Sequence, residues 1–249
     1  MHARFHAPDA ERDGDIVSLP DEEAQHLTRV LRLKIGASIR VFNGRGAEFD
    51  AVVEHVGKNA VQVRVGHLCN AVPESRVAVT LAQGVLKADK MDDVIRDAVM
   101  IGVTAIQPVV TARSEVTLQS LARGHRQERW QRIAVSSAKQ CGRAVVPPVL
   151  ESRLFDSVVA SLQDLALPQP ALMCVEPSAA AEVLSLTDLD TTAPRQATVL
   201  VGPEGGWTPE ELEKGAAVSR QVTLGARTLR ADAMPLIAIT ALLMHWREL

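Results

Sequence analysis

A glycine-rich turn between an apolar run and a helix start is the stretch of this sequence best suited to binding a ligand. The apolar run Ala197–Val201 is followed by Gly202–Gly206, which reads G-P-E-G-G. Thr208, Pro209 and Glu211 then form a predicted capping box at the start of a helix. A strand, a glycine turn and a capped helix in this order are typical of the carboxyl edge of a parallel sheet, where α/β proteins bind ligands.

The spacing of these glycines excludes the common phosphate-binding loops. A P-loop needs G-x-x-x-x-G-K-[ST], and no lysine follows Gly206; the dinucleotide fingerprint G-x-G-x-x-G does not fit either. Glu210 and Glu211 place negative charge at the helix N-terminus, which disfavours an anion there. We therefore expect a neutral or cationic ligand held by main-chain groups, although a tight turn without any ligand would have the same sequence.

Together with a second motif, this turn resembles a known family. Leu224–Asp232 reads L-G-A-R-T-L-R-A-D, and G-P-E-G-G followed by L-G-x-R-x-L-R-x-[ED] resembles the SPOUT methyltransferases, specifically the RsmE family of 16S rRNA uridine-N3 methyltransferases. Further motifs follow the family order: His26–Gly36, Phe42–Glu48, Gln83–Met91, Gly102–Val103, Arg113–Ser114 and Gln140–Arg143. The resemblance implies S-adenosylmethionine as the cofactor, a cation without phosphate, which agrees with the charge of the turn.

The composition is that of an ordinary globular protein and predicts no general affinity for nucleic acid. The 249 residues are 47% hydrophobic and 23% charged, with a formal net charge of −3, and the length allows one large or two modest domains. The basic residues are unevenly spread, because Arg113–Arg143 contains seven of them against two acidic residues. Such a strip is either a solvated helix face or a set of phosphate contacts.

The cysteines and the absence of a long apolar run point to a reduced cytoplasmic protein. Cys69, Cys141 and Cys174 are odd in number, widely spaced and match no histidine pattern, so we expect neither disulfides nor a metal site. No stretch reaches the length of a membrane span, and the N-terminus has no apolar signal segment. We therefore expect no membrane contact and a cytoplasmic location.

Short alternating runs predict a small β-barrel over residues 1–72. Its predicted strands are Ser38–Phe42, Glu48–Glu54 and Ala60–Val65. One helix starts with Asp21 as its cap. The apolar stripe of that helix is predicted to consist of Ala24, Leu27, Val30 and Leu31. The resemblance implies that this region is a PUA-like RNA-binding barrel.

From about residue 73 the pattern changes to alternating strands and helices, which predicts an α/β fold with a parallel sheet flanked by helices. The predicted strands are Val77–Gln83, Ala105–Val110, Val145–Leu150, Ala171–Val175, Ala197–Val201 and Gln221–Leu224. The predicted helices are Asp89–Ile101, Gln127–Cys141, Leu154–Leu162, Thr208–Val218 and Ala233–Trp246. The resemblance adds a C-terminal trefoil knot, so we expect a PUA-like domain at 1–72 and a SPOUT α/β-knot methyltransferase domain at 73–249.

The resemblance also implies the site residues, in three segments that would hold the cofactor: Met173–Glu176, Val201–Gly206 and Leu224–Arg230. They are Met173, Cys174, Glu176, Val201, Gly202, Pro203, Glu204, Gly205, Gly206, Leu224, Gly225, Leu229 and Arg230. Arg230 is the expected catalytic residue, stabilising the uridine anion or a neighbouring phosphate, and Asp232 is the candidate proton acceptor. Alternatively, Arg230 and Asp232 pair with each other to fix the loop.

The expected partners are the 16S rRNA of the small ribosomal subunit and a second copy of the chain. His26, Arg29 and Arg32 share roughly one helix face, which with the resemblance implies RNA contact. The other candidate RNA-binding residues are Lys87, Asp89, Lys90, Arg113, Lys139 and Arg143. The last helix is apolar on more than one face, so it is either a central core helix or, as the resemblance implies, part of a homodimer interface.

Several positions depart from the family pattern. Arg230–Met234 reads R-A-D-A-M where the family usually has R-T-E-T-A, Met100 replaces a glutamate, and Lys139 replaces an acidic residue. These differences weaken the assignment of a proton acceptor. They leave open a SPOUT enzyme with another RNA target, such as tRNA ribose 2′-O methylation, or an RNA-binding protein without catalysis. The barrel placed before the knot domain argues against the ribose methyltransferase.

Overall fold

The computed structural model describes residues 3–57, 60–164, 170–178 and 183–249, and the chain divides into two units. The first unit contains Met1–Glu74 and also Val135–Val146. The second contains Ser75–Ala134 and Pro147–Leu249. None of the helices in the described ranges is long and apolar enough to cross a membrane.

Alternating apolar residues build a five-stranded sheet in the first unit. Its strands are β1 (Arg4–His6), β2 (Ile16–Ser18), β3 (Ser38–Phe42), β4 (Glu48–Val56) and β5 (Val61–Cys69). Their order is β1-β3-β4-β5-β2, with β1 and β3 parallel and the other neighbours antiparallel. Inward-facing residues of these strands form one apolar core with Leu27. The three predicted strands are confirmed, whereas β1 and β2 are too short for alternation to be recognised.

The predicted helix of the first unit is shorter than expected and changes its winding. The helix α1 covers Asp21–Gln25, so Asp21 is its first residue and not its cap, and a π-helical turn follows at His26–Val30. The Leu31 N–H donates to the His26 carbonyl at 3.0 Å, the i to i+5 bond that defines this wider turn. No residue pattern in this stretch indicates the wider turn.

The wider turn overturns two sequence expectations that assumed 3.6 residues per turn. Leu27 is fully buried as predicted, but Val30 and Leu31 are 67% and 42% exposed, so the four-residue apolar stripe was wrong. Arg32 lies beyond the turn with a φ of 53°. The helical spacing used to place His26, Arg29 and Arg32 on one face therefore does not apply.

The side chain of Arg4 explains why the segment Val135–Val146 belongs to the first unit. Its guanidinium pairs with Glu48 at 3.0 Å and also donates to the carbonyls of Lys139 at 2.7 Å and Arg143 at 3.1 Å. These carbonyls lie at and just beyond the end of a helix, where main-chain acceptors lack partners within the helix. Arg4 on the first strand thus supplies hydrogen-bond donors for carbonyls at the end of a helix that is more than 130 residues away in sequence.

The second unit is built on a seven-stranded sheet in which all paired neighbours are parallel. The strands are β6 (Ala78–Gly84), β7 (Ala105–Val110), β8 (Arg153–Leu154), β9 (Ala171–Cys174), β10 (Leu184–Ser185), β11 (Gln196–Val201) and β12 (Arg220–Thr223). The helices that follow α1 are α2 (Lys90–Ile101), α3 (Leu118–Arg123), α4 (Arg126–Cys141), α5 (Phe155–Gln163), α6 (Pro209–Ala216) and α7 (Met234–His245). The predicted α/β architecture is confirmed, and α4 ends in the segment assigned to the first unit.

One predicted strand, Val145–Leu150, is wrong. The segment makes isolated bridges from Val145 and Val149 but no continuous ladder. Pro147 and Pro148 lie in its middle, and since proline has no N–H, consecutive ladder bonds cannot form there. The apolar β-branched residues predicted a strand, but the two prolines prevent the backbone from pairing as one.

The strand order places three loops next to each other. The sheet runs β10-β12-β9-β11-β6-β7-β8, so β12, β9 and β11 are consecutive neighbours. Because all are parallel, their carboxyl ends lie at the same edge. The segments that follow Thr223, Cys174 and Val201 therefore converge, although they are separated by many residues in sequence.

Candidate active site

The loops after β9, β11 and β12 enclose a cavity of about 340 Å³. Ten of the thirteen predicted cofactor residues line it: Cys174, Glu176, Val201, Gly202, Pro203, Glu204, Gly206, Leu224, Leu229 and Arg230. Asp232, Lys90 and Arg113, predicted for catalysis and RNA binding, also line it. The three motifs that the resemblance grouped together are thus brought to one place by the sheet.

Three predicted cofactor residues do not line this cavity. Met173 is fully buried in the core beneath it, where its thioether packs toward Gly215. Gly205 packs against the side chain of Arg113, and Gly225 is an exposed glycine with a φ of 85°. Three further lining residues, Val175, Arg227 and Thr228, lie inside the predicted segments. Six lining residues lie outside the prediction: Pro177, Trp207, Leu212, Thr223, Ala231 and Met234. Trp207 was recognisable, since it is an aromatic residue directly after the glycine turn.

The glycine turn is held by contacts that leave no room for side chains. The buried Gln83 amide donates to the carbonyl of Gly202 at 3.3 Å, and a Cβ added at Gly84 would lie 2.6 Å from the nitrogen of Pro203. Trp207 donates its indole N–H to the Cys174 carbonyl at 2.9 Å, which joins the loop after β11 to the loop after β9. The turn therefore has a fixed position relative to both strands.

The predicted capping box after this turn is confirmed. The Thr208 hydroxyl accepts from the Glu211 N–H at 3.2 Å, and the Glu211 carboxylate accepts from the Thr208 N–H at 2.9 Å. Pro209 occupies the first helical position, as expected. The Glu211 carboxylate also accepts from the Ala112 N–H at 2.8 Å, a hydrogen bond that the sequence did not predict.

Two carboxylates at the cavity are stabilised in their charged form. Partial burial raises the pKa of Glu204, but hydrogen bonds from its own N–H, from the Lys87 N–H and from Lys90 outweigh burial and leave the pKa below its ordinary value. The hydrogen bonds from Arg230 lower the pKa of Asp232 despite some burial. Both groups are therefore anionic at neutral pH, next to a cavity expected to hold a cation.

The buried thiol of Cys174 lacks the properties of a nucleophile. Burial raises its pKa to about 12, so it stays protonated at neutral pH. Within the described ranges, no group of three or more His, Cys, Asp or Glu side chains could hold a metal ion. The chemistry of the cavity therefore depends on main-chain groups, carboxylates and the cations Lys90, Arg113, Arg227 and Arg230.

Three of the four predicted RNA-binding residues of the second unit are paired with oppositely charged neighbours. Lys87 contacts Glu115 at 2.5 Å, and Asp89 contacts Arg129 at 3.0 Å. Lys90 contacts Glu204 at 3.2 Å inside the cavity. Arg113 is exposed and donates to the Gly205 carbonyl at 2.7 Å. Lys90 and Arg113 are thus adjacent to the ligand site, and the other two are surface ion pairs.

In the first unit, the predicted RNA-binding residues divide into paired and exposed groups. Lys139 contacts Glu23 at 2.7 Å and His26 at 2.8 Å, and Arg143 is buried against Glu74 at 2.5 Å. Arg29 and Arg32 are exposed. The geometry favours a structural role for Lys139 and Arg143, whereas Arg29 and Arg32 present their charge to solvent.

Comparison with known proteins agrees with this arrangement. The RNA methyltransferase domain model matches residues 73–243, and the RNA methyltransferase PUA domain model matches residues 19–66. Ribosomal RNA small subunit methyltransferase E of Bacillus subtilis is 30% identical over 229 residues, which cover 90% of this chain and 88% of that protein.

Two solved structures resemble the whole chain. Ribosomal RNA small subunit methyltransferase E from Neisseria gonorrhoeae, bound to S-adenosyl methionine, is 32% identical with a TM-score of 0.87, covering 99% of this chain and 98% of that chain. A putative methyltransferase from Legionella pneumophila, in complex with the cofactor SAM, is 26% identical with a TM-score of 0.88 and covers 98% of each chain. The chain therefore belongs to the RNA methyltransferase family that includes ribosomal RNA small subunit methyltransferase E, with the SPOUT fold that its motifs predicted.

Proposed function

We propose that this protein transfers a methyl group from S-adenosylmethionine to N3 of a uridine in the 16S rRNA of the small ribosomal subunit. The observation that carries the proposal is the cavity at the carboxyl edge of β9, β11 and β12. It unites the three family motifs, and two similar structures hold this cofactor. A ribosomal RNA substrate would place the enzyme in the cytoplasm.

The cavity suits the cofactor in shape and charge. Main-chain groups of the glycine turn face it, and Gly206 has a φ of 67°, a conformation that a side chain would strain. Apolar walls for an adenine ring come from Val201, Leu224, Leu229, Trp207 and Met234. Carboxylates for a sulfonium come from Glu176, Glu204 and Asp232.

The residues of the chain supply orientation and charge stabilisation. When bound, the cofactor supplies an electrophilic methyl group. The glycine turn and the loop after β12 would fix the donor, and fixed geometry accounts for much of the acceleration in such in-line displacements. Loss of the N3 proton to solvent water leaves negative charge on the uracil, and the exposed guanidinium of Arg230 at the cavity can stabilise that charge.

Asp232 fits the role of holding Arg230 better than the role of proton acceptor. The Arg230 Nε donates to Asp232 Oδ1 at 2.9 Å, and a second short bond joins Nη2 to Oδ2. A carboxylate with a lowered pKa is a weak base, so it removes a proton from a weak acid inefficiently. We therefore propose Arg230 as the catalytic residue and Asp232 as the residue that orients it.

The acidic residues of the cavity predict how cofactor affinity depends on pH. The folded-state pKa values of Glu204 and Asp232 are lowered, so the charge of these two carboxylates is constant through neutral pH and is lost only as the pH falls below the ordinary carboxylate value of about 4. Calorimetric titration with S-adenosylmethionine should show constant affinity from pH 8 to about 5 and a loss below. The product S-adenosylhomocysteine, which lacks the sulfonium charge, serves as the control and should lose less affinity in acid; equal losses would argue against the carboxylates.

We keep the two-domain assignment, 1–72 for RNA binding and 73–249 for catalysis, as part of the proposal. The PUA domain model supports the first part, and the exposed charges of Arg29 and Arg32 are available there for phosphates. The chain has no tyrosine and 3% aromatic residues, so backbone and shape recognition is favoured over base stacking.

We also propose a homodimer through α7. This helix buries Ile239 and Leu242 in the core, yet Ile237 and Met244 on other faces are 41% and 63% exposed. Replacing Met244 by glutamate should leave the melting temperature within a few degrees but convert a dimer to a monomer, because it puts charge into the apolar contact. Light scattering after size exclusion measures the mass. The matched control is Glu213→Lys on the exposed side of α6, and a monomeric wild type would contradict the dimer.

Nucleoside mass spectrometry of small-subunit RNA tests the proposed reaction. RNA from a strain that lacks the gene should contain no 3-methyluridine, and purified protein with S-adenosylmethionine should restore it. Persistence of 3-methyluridine without the gene would contradict the assigned target. Methylation at a ribose, or RNA binding without cofactor consumption, would move the function to one of the alternatives raised by the sequence.

A further inference from the structure

We propose that Glu211 is a positioning residue that fixes Arg113 at the cavity, where the Arg113 guanidinium binds a phosphate of the RNA substrate. The inference rests on the proposed function and extends it to a side chain outside the cavity lining. It follows from one unexpected hydrogen bond of the capping box and from the contacts of Arg113 with the glycine turn.

The Glu211 carboxylate joins two loops of the second unit. It is 6% exposed, and its two oxygens accept from different segments: Oε2 from the Thr208 N–H at 2.9 Å and Oε1 from the Ala112 N–H at 2.8 Å. A capping box requires the first of these bonds. The second is additional, and because Ala112 directly precedes Arg113, it fixes the main chain from which the arginine extends.

The loop that carries Arg113 is a turn held by hydrogen bonds between its own residues. The Thr111 N–H donates to the Ser114 hydroxyl at 3.1 Å, and the Ser114 N–H donates to the Thr111 carbonyl at 3.1 Å. These bonds fix the turn at the end of β7. The Ala112 N–H points outward from it to Glu211, so the carboxylate is what attaches this turn to the start of α6.

The side chain of Arg113 is fixed against the glycine turn. Its Nη1 donates to the Gly205 carbonyl at 2.7 Å, and a Cβ added at Gly205 would lie 3.0 Å from the Arg113 Cβ. Within residues 3–57, 60–164, 170–178 and 183–249, Arg113 makes no other side-chain hydrogen bond, so Nε and Nη2 can donate to a ligand. A guanidinium with two such donors matches the geometry of a phosphate.

The charges and contacts of the four cavity cations, Lys90, Arg113, Arg227 and Arg230, together indicate Arg113 as an anion receptor. Lys90 is paired with Glu204, and Arg230 with Asp232. Neither Arg113 nor Arg227 has a carboxylate partner among the described residues, and of these two it is Arg113 whose side chain is anchored, through its hydrogen bond to the Gly205 carbonyl. Its charge is therefore neither neutralised nor mobile, which suits a contact that sets the position of the RNA backbone.

Salt-dependent binding of a 16S rRNA fragment, measured by fluorescence anisotropy without cofactor, tests the proposal. Each lost phosphate contact should lower the slope of log affinity against log salt by about one. Arg113→Ala and Glu211→Gln should each lower the slope by about one and weaken binding about tenfold. The glutamine can accept only one of the two N–H groups. If Glu211 acts through Arg113, the double variant loses no more than Arg113→Ala.

Thr208→Ala is the matched control. It removes the other half of the capping box but leaves the bond from Ala112 to Glu211, so its melting temperature should fall while the salt slope keeps the wild-type value. A wild-type slope in Glu211→Gln would overturn the positioning role. A weaker cofactor affinity with an unchanged RNA slope in Arg113→Ala would assign Arg113 to the cofactor carboxylate and also overturn the proposal. Because the assay needs no turnover, failure of the proposed methyl transfer would be detected separately by nucleoside analysis.

Discussion

Replacement of Arg230 by alanine should lower the single-turnover rate of methyl transfer by about 10²–10³-fold, the usual cost of removing one donor that stabilises charge in a transition state. The guanidinium lines the cavity and is exposed, so the substitution leaves no unfilled space in the core. Rates measured with saturating cofactor and small ribosomal subunits separate this effect from binding. Arg220→Ala, an exposed arginine on β12 outside the cavity, is the matched control and should keep the wild-type rate.

Asp232→Asn decides between the two roles considered for the carboxylate. If Asp232 only orients Arg230, the asparagine retains one acceptor and the rate should fall about tenfold. If Asp232 accepts the N3 proton, the loss should equal that of Arg230→Ala and the pH dependence of the rate should change. A rate equal to wild type would show that the Asp232 carboxylate has no part in catalysis.

Gly84→Ala should displace the cofactor turn and inactivate the enzyme without touching any titratable group. The added Cβ would lie 2.6 Å from the nitrogen of Pro203, 2.8 Å from its Cδ and 2.9 Å from the carbonyl carbon of Gly202. These atoms belong to the main chain and a ring, so the turn itself must move. Such overpacking costs about 1–3 kcal/mol of unfolding free energy. Misplacement of the donor by about 1 Å costs roughly a hundredfold in rate.

The effect of Gly84→Ala is separated from general destabilisation by a second glycine variant. Gly124 lies outside the cavity with a φ of −96°, and its added Cβ would lie 3.2 Å from the Ser120 carbonyl. Gly124→Ala should therefore change the packing at the end of α3 but keep cofactor affinity and rate. Thermal unfolding and calorimetric titration of S-adenosylmethionine measure the two quantities. Normal cofactor affinity in Gly84→Ala would contradict the role given to the turn.

The local features of the site could be predicted because they depend on neighbouring residues. The capping box of Thr208 and Glu211 lies within four residues, and its two bonds form as expected. The same holds for the strand that ends at Val201 and for the glycine turn that follows. Prediction failed where local signals conflicted. Val145–Leu150 contains strand-forming valines and two prolines, and because the prolines lack N–H groups the segment forms no continuous strand.

The helix at His26–Val30 shows a different limit. Its apolar residues fit the period of an α-helix. The structure has a π-helical turn there, which leaves Val30 and Leu31 exposed, and the spacing of apolar residues does not predict that turn. The functions of the basic residues could not be predicted from the sequence either, because composition does not show which cations lie next to carboxylates in the folded chain. Lys139 and Arg143 form ion pairs with acidic residues of the first unit, whereas Arg29 and Arg32 are exposed to solvent.

The sequence by itself determined the family, the α/β architecture, the cofactor that the family resemblance implies, and most of the residues that line the cavity. These depend on motifs and periodicities that are read over a few residues. The tertiary structure alone decided that β11 lies between β9 and β6, that Trp207 closes the cavity against Cys174, and that Glu211 reaches across to Ala112. Each joins segments far apart in the chain, and such pairings arise when the whole sheet is packed, not from local preference.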